Sequence, residues 1–215
     1  MQYCPQSRLE PLLLAYIRGH ANEARYATQL CSLRQDQSGV TAVLADIDSG
    51  ERETVHADHL VAADGVHGEI RKLLGMSASG YGKLPIFVVF IYFRGPWREF
   101  VPTLGDGDAI QVKNDVVDGI FVPVTGDMGL FITTYLPDVG ETAAQFTPQH
   151  CRELIVNAVG EPIDVQITDV APWQPYEQVA DQFRCGRVFL VGDPAHAMPP
   201  SRPGEPTSPF RARIT

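Results

Sequence analysis

The segment Gly186-Arg187-Val188-Phe189-Leu190-Val191-Gly192-Asp193 is a continuous apolar run that stops on glycine and aspartate, and Pro194-Ala195-His196-Ala197-Met198-Pro199-Pro200 follows it. An unbroken apolar run of this length, without polar alternation, marks a strand buried on both faces, as in the parallel sheets of α/β proteins. A second run, His59-Leu60-Val61-Ala62-Ala63, ends as abruptly in Asp64-Gly65, and a helical-looking segment follows from about Gly68 to Leu74. Open α/β sheets place ligand-contacting residues in turns at the carboxyl ends of such strands. The fold must therefore contain a buried sheet core that delivers polar turns to one end.

Around these runs the pattern is mixed. Ser7-Arg8-Leu9-Glu10 has the capping-box spacing, and Leu9, Leu12, Leu13, Tyr16 and Ile17 recur at helical intervals, so the spacing predicts an amphipathic helix from about Arg8 to Gly19. Runs at Arg25–Leu33, Val40–Ile47 and Glu53–Ala57 are broken by Asp36-Gln37-Ser38-Gly39 and Asp48-Ser49-Gly50, the turn chemistry of a three-stranded meander. Aromatic and β-branched runs at Ile86–Phe93, Ala109–Val112, Gly119–Val124 and Leu130–Leu136 predict an antiparallel sheet. Thr147, Pro148 and Gly160 have the positions of N-cap, first helical residue and C-terminal stop for a helix over Thr147–Val159, and Val165–Val170 reads as a further strand. Ser201–Thr215 has no apolar periodicity and does not read as a folded element.

Composition removes several function classes. The net charge is −9, and Lys72, Lys83 and Lys113 are scattered with no basic run, which argues against a nucleic-acid partner. The longest apolar stretch, Leu84–Phe93, is about half of the roughly 20 residues needed to cross a bilayer, and no signal peptide is read at the start, so a soluble, cytoplasmic chain without a membrane partner is expected. Cys4, Cys31, Cys151 and Cys185 are far apart with no CxxC pair, which predicts reduced thiols and no metal site.

Three segments then match, in order, three motifs of one family. Pro5-Gln6-Ser7-Arg8-Leu9-Glu10-Pro11-Leu12-Leu13 resembles the helix whose arginine approaches a flavin. Ala63-Asp64-Gly65-Val66-His67-Gly68-Glu69-Ile70-Arg71 resembles the DG motif associated with both FAD and NADPH, and Gly186–Pro200 resembles the GD motif whose aspartate binds the FAD ribose. The family is that of the FAD-dependent aromatic hydroxylases, single-component flavoprotein monooxygenases similar to para-hydroxybenzoate hydroxylase, in the polyketide and phenol hydroxylase branch. The residues suit those roles chemically: a glycine before the aspartate lets a ligand approach the backbone, and an arginine supplies a planar donor fork for a pyrophosphate.

The resemblance implies an α/β fold with an α+β insert: a partial glutathione-reductase-like FAD-binding fold formed by residues 1–80 and 171–200, with an antiparallel-sheet substrate domain at 81–170. It implies that Arg8, Leu30, Asp64, Gly65, Arg71, Gly192, Asp193 and Pro199 contact cofactor, Leu30 on the adenosine side and Pro199 near the flavin; it names no catalytic acid or base. The implied reaction is hydroxylation of an aromatic or polyketide small molecule: NADPH reduces FAD, the reduced flavin takes up oxygen as a hydroperoxide, and one oxygen atom passes to the ring. The cofactor carries that chemistry while protein orients and excludes water. Two alternatives stay open, a truncated flavoprotein fragment without stable FAD binding and another flavin oxidoreductase on the same fold; the halogenase motif WxWxIP is not present, since Trp97 and Trp173 are isolated. The oligomeric state is not legible.

The chain departs from the family at three places. Gly68 stands where the DG motif usually has serine, no GxGxxG is present so that the opening βαβ unit is expected to be missing, and the residues after Arg202 do not follow the family. Reading that tail in a shifted frame, with permitted codon choices, yields Gly, Gly, Ala, Asn, Ile, Ala, Ile, Gln, Gly or Ser, Ala, His, Asn, which is the family's glycine-rich turn and helix. A frameshift near Arg202 or Pro203 is therefore expected; sequencing the coding DNA should show a frame able to encode that peptide, and a frame that cannot encode it refutes the idea.

Overall fold

A computed structural model of the chain describes residues 4, 6–20, 23–105 and 107–199. In chain order they form α1 (Gln6–Gly19), β1 (Thr28–Gln35), β2 (Val40–Asp46), β3 (Arg52–Ala57), β4 (Leu60–Ala62), α2 (Ile70–Leu73), β5 (Ala78–Lys83), β6 (Val88–Arg94), β7 (Ile110–Lys113), β8 (Asp118–Thr125) and β9 (Met128–Thr134). There follow α3 (Pro148–Val159), β10 (Gln166–Trp173), β11 (Tyr176–Ala180), β12 (Arg184–Cys185), β13 (Val188–Leu190) and β14 (His196–Ala197). Two compact units divide them: Glu23–Leu84 joins the described residues from Pro175 onward, and Pro85–Gln174 groups with the described residues before Glu23. The expected tail beyond Arg202 lies outside the described residues.

In the first of these units the predicted meander is present as β1-β2-β3, antiparallel throughout. Its turns form for the reason the sequence suggested. Asp36 Oδ1 accepts from the Ser38 and Gly39 amides at 2.7 and 3.2 Å, and Asp46 Oδ1 from Ser49 and Asp48 at 2.7 and 3.1 Å, so each aspartate closes its own turn. The Ser38 hydroxyl on Asp36 and the Ser49 amide on Asp46 lead the interactions that hold both carboxyls below their ordinary value. Two further three-stranded sheets, β14-β11-β5 and β12-β13-β4, complete the unit, and β13 pairs with β4 in parallel. Val40, Ala62, Ile70, Ala180, Val188, Leu190 and Ala195 form its core.

The other unit is a five-stranded antiparallel sheet, β10-β6-β9-β8-β7. Alternation buries Val89, Ile91 and Phe93 of β6, Phe121 of β8 and Phe131 of β9, and these pack with Cys151 and Ile155 of α3. The α3 boundaries match the sequence reading: Thr147 Oγ1 accepts from the His150 amide at 3.2 Å, Pro148 opens the helix, and Gly160 ends it at φ +83°. Cys151 is fully buried, which pushes its thiol up to about 11 and leaves it chemically quiet.

Several sequence expectations require correction. α1 begins at Gln6, so Ser7 lies inside the helix and no capping box forms; the Glu10 carboxyl instead accepts from Gln6 Nε2. Its apolar stripe is not a core face, since Leu9, Leu12, Leu13 and Tyr16 are 43–66% exposed. The helix expected from Gly68 is the single turn α2, because Gly68 takes part in a turn that closes on Gly65. The first meander strand begins at Thr28 and not at Arg25. β5 and β11 were not foreseen: Gly80 and Gly82 give β5 poor intrinsic strand propensity. Pairing rescues it, for Gly80 at φ +139° lets the Glu177 carbonyl approach where any Cβ would clash.

One side chain ties the meander to the strand β13. Arg187 Nε, Nη1 and Nη2 donate to the carbonyls of Asp36, Asp58 and Gln37 at 3.2, 3.1 and 2.5 Å, while its amide donates to Gln35 Oε1 at 2.7 Å. A lysine ammonium is a single point that cannot reach the three carbonyls of two separate turns. Arg187→Lys should therefore cost about 1–2 kcal/mol in urea unfolding, two lost hydrogen bonds at the ordinary net value.

Candidate functional site

Parallel pairing sets Val188 opposite Leu60, Phe189 opposite Val61 and Leu190 opposite Ala62, and the Val191 amide extends the ladder to the Ala62 carbonyl at 2.9 Å. The turns Asp64-Gly65 and Gly192-Asp193 therefore leave from the same end of adjacent strands, the carboxyl end. This is the position where α/β sheets bind nucleotides. Both glycines have positive φ, +82° at Gly65 and +65° at Gly192, and a Cβ at either would meet nothing within 4 Å. A ligand can thus reach the backbone at both turns.

The two aspartates differ. Asp193 is exposed and engages none of the described side chains, while buried Pro194 and Ala195 anchor its turn and the Ala195 and His196 amides close on the Gly192 carbonyl at 3.0 and 2.9 Å. Asp64 is also exposed, but its Oδ2 accepts from the Ile70 amide at 3.1 Å. Arg71 on α2 is half-buried. With the Gln178 amide oriented to satisfy its neighbours, the Gln178 carbonyl accepts from Arg71 Nη2 and Nη1 at 2.6 and 3.1 Å, and its nitrogen donates to the Tyr176 hydroxyl at 3.3 Å. His67 meets the Tyr176 ring edge-on at 5.8 Å.

The remaining expected residues are dispersed. Leu30 sits on β1 and packs against the core of the same unit as the turns. Pro199 is half-buried at the end of the described chain. Arg8 belongs to α1, in the other unit, where Nη2 donates to Thr125 Oγ1 at 3.3 Å. Tyr176 and Gln178 were missed because their strand has no period-2 signal; a Tyr-x-Gln spacing carries no motif of its own, and only the pairing of β11 with β5 brings it beside α2.

In the sheet unit, α3 packs against one face of the sheet, and the opposite face is a second apolar surface. Phe90, Ile120, Val122, Leu130, Ile132 and Trp173 lie on it, half-buried or exposed. Phe90 and Trp173 stack with centroids 5.6 Å apart and planes at 19°, making a flat aromatic ledge. No group of His, Cys, Asp or Glu among the described residues is arranged to hold a metal ion. No helix among them is long and apolar enough to cross a membrane.

The arrangement suits a flavin nucleotide. Asp193 offers acceptor oxygens to sugar hydroxyls, and the open glycine turns offer backbone amides to phosphate or ring atoms. Comparison with known proteins agrees: a family model described as FAD binding domain matches residues 1–203. A protein named as a polyketide hydroxylase from Streptomyces halstedii is 41% identical over 202 residues, covering 92% of this chain and 36% of the relative. An aklavinone 12-hydroxylase from Streptomyces peucetius subsp. caesius is 38% identical over 199 residues, covering 92% of this chain and 40% of the relative. The crystal structure of a ternary complex of aklavinone-11 hydroxylase with FAD and aklavinone is similar with a TM-score of 0.80 and 34% identity, covering 92% of this chain and 37% of that one. The chain thus spans about two fifths or less of the length of these relatives.

Asp181 closes the frame behind the site: it accepts from Ser77 Oγ at 2.5 Å and Ser79 Oγ at 2.8 Å, joining the β5 edge to the end of β11. The Ser77 and Ser79 hydroxyls hold its carboxyl below the ordinary 3.8. A depressed carboxyl contributes stability above its unfolded value and loses it as the pH falls through the folded value. Protection against amide exchange in β5 and β11, taken relative to the intrinsic rate at each pH, should therefore fall on acidification below 3.8, and Asp181→Asn should flatten that dependence.

Proposed function

Because the chain belongs to the FAD-binding-domain family, we propose that it carries part of the flavin site of an NAD(P)H-dependent monooxygenase that hydroxylates an aromatic or polyketide small molecule. The observation that carries this reading is the side-by-side emergence of Asp64-Gly65 and Gly192-Asp193 from parallel strands with open backbone at both glycines. Asp193 would hold the ribose, the Gly65 and Gly192 turns would approach the nucleotide, and Leu30, Arg71 and Pro199 complete the proposed cofactor set of this unit, while Arg8 is proposed as a cofactor residue on the motif resemblance alone. Bound FAD supplies the redox chemistry and oxygen activation that no side chain here can provide.

The half-exposed apolar sheet face, with its Phe90–Trp173 ledge, would receive the substrate. Flat fused rings are matched by flat aromatic and branched aliphatic side chains, which also exclude water from the reacting ring. The relatives named for aklavinone and polyketide hydroxylation support this substrate class. Its residues would bind and orient the ring and exclude water from it.

Incubation with excess FAD followed by desalting tests the reading: a retained flavin absorbance band supports a flavin site on this chain. Asp193→Ala should weaken FAD binding by at least roughly tenfold, the cost of losing a charge-assisted hydrogen bond. NADPH oxidation by the flavin-loaded protein should rise on adding an aromatic substrate. A folded, colourless protein overturns the reading for this chain.

A further inference from the structure

Gly68 raises a question that its own backbone does not answer. Its φ lies outside the left-handed region, in contrast to Gly65 and Gly192, so an alanine could adopt the same conformation. A side chain is excluded by something else: a Cβ at Gly68 would collide with Cγ and both oxygens of the Asp64 carboxylate. That carboxylate lies over Gly68 because its Oδ2 accepts the Ile70 amide at 3.1 Å, an amide in the first turn of α2 with no partner within the helix. The adjoining Glu69 makes no side-chain cap bond. Asp64 therefore takes the role from six residues away, and it can do so only across a residue without a side chain.

The other end of the segment is held independently. Arg71 is gripped by the Gln178 carbonyl through two N–H groups, and the Gly68 amide closes on the Gly65 carbonyl at 3.0 Å. With both ends held, the nearest atoms that a Cβ at 68 meets are those of the Asp64 carboxylate, so it is that carboxylate which must leave its place over residue 68. We propose that Asp64 and Gly68 are a coupled pair of positioning residues: the carboxylate, seated on the bare Gly68 backbone, sets the Asp64-Gly65 turn by capping Ile70. This assigns the Asp64 side chain to the turn's own geometry and Gly68 to the seat that makes it possible. The inference concerns the chain's internal packing, so it holds or fails separately from the flavin reading.

The test is a double-mutant cycle read by amide exchange at Ile70 and by the urea unfolding midpoint. Asp64→Ala should speed Ile70 exchange roughly fivefold, the usual consequence of losing a cap, whereas Asp64→Asn, whose Oδ1 accepts equally well, should restore near-wild-type exchange. Gly68→Ala should speed exchange by a similar factor in the wild-type background. In the Asp64→Ala background its sign should reverse, because alanine at a permissive glycine position raises stability by restricting the unfolded chain. If Gly68→Ala alone does not fold, the double variant should recover folding. The proposal is overturned if Gly68→Ala has the same effect in both backgrounds, if Asp64→Asn exchanges as fast as Asp64→Ala, or if the double variant folds no better than Gly68→Ala.

Discussion

Parallel pairing of β4 with β13 joins two strands that lie more than a hundred residues apart in sequence, and the geometry of the candidate site follows from it. In a parallel pair both strands run the same way, so whatever follows each strand emerges on the same side. An antiparallel pairing would send Asp64-Gly65 and Gly192-Asp193 to opposite ends. Buried Ala62, Val188 and Leu190 hold the register by packing into one core, and Arg187, just before β13, fastens the meander turns to the same strand. The site is thus a consequence of a short ladder with its supports on either side.

The two units solve different physical problems. Around the turns, small residues and glycines keep the backbone accessible: Gly65 and Gly192 supply positive φ, while Gly80 permits β5 to come close to β11. In the sheet unit, bulk does the work, with Phe93, Trp97, Phe121 and Phe131 clustering under α3. One unit leaves main chain open at two turns, and the other presents a flat apolar face opposite a packed one.

Much of this was legible because local chemistry decided it. The meander turns could be read from Asp36 and Asp46, whose side chains bond amides two and three residues on, and α3 could be read from Thr147, Pro148 and Gly160, whose roles depend only on helix ends. The Gly-Asp and Asp-Gly ends of the apolar runs were visible for the same reason. What escaped were elements whose formation is non-local. β5 and β11 have weak strand propensity and exist through each other, and the exposure of the apolar stripe of α1 was not legible because periodicity reports only which residues share a side, not what covers it.

By itself the sequence determined the family, the two buried runs, the turn residues that end them and the antiparallel character of the middle segment, all matters of residue type and spacing over a few positions. Only the tertiary structure decided that the two runs pair in parallel with one end shared, and that α3 packs on one particular face of the antiparallel sheet. It also decided that Asp64 accepts from the Ile70 amide while Asp193 engages none of the described side chains, although both are exposed aspartates beside glycines. The physical reason is that a side chain's partner is chosen by what the fold brings within 3 Å or so of it. For Asp64 that choice depends on the room left by Gly68 and the hold of Gln178 on Arg71, contacts that no short window of sequence contains.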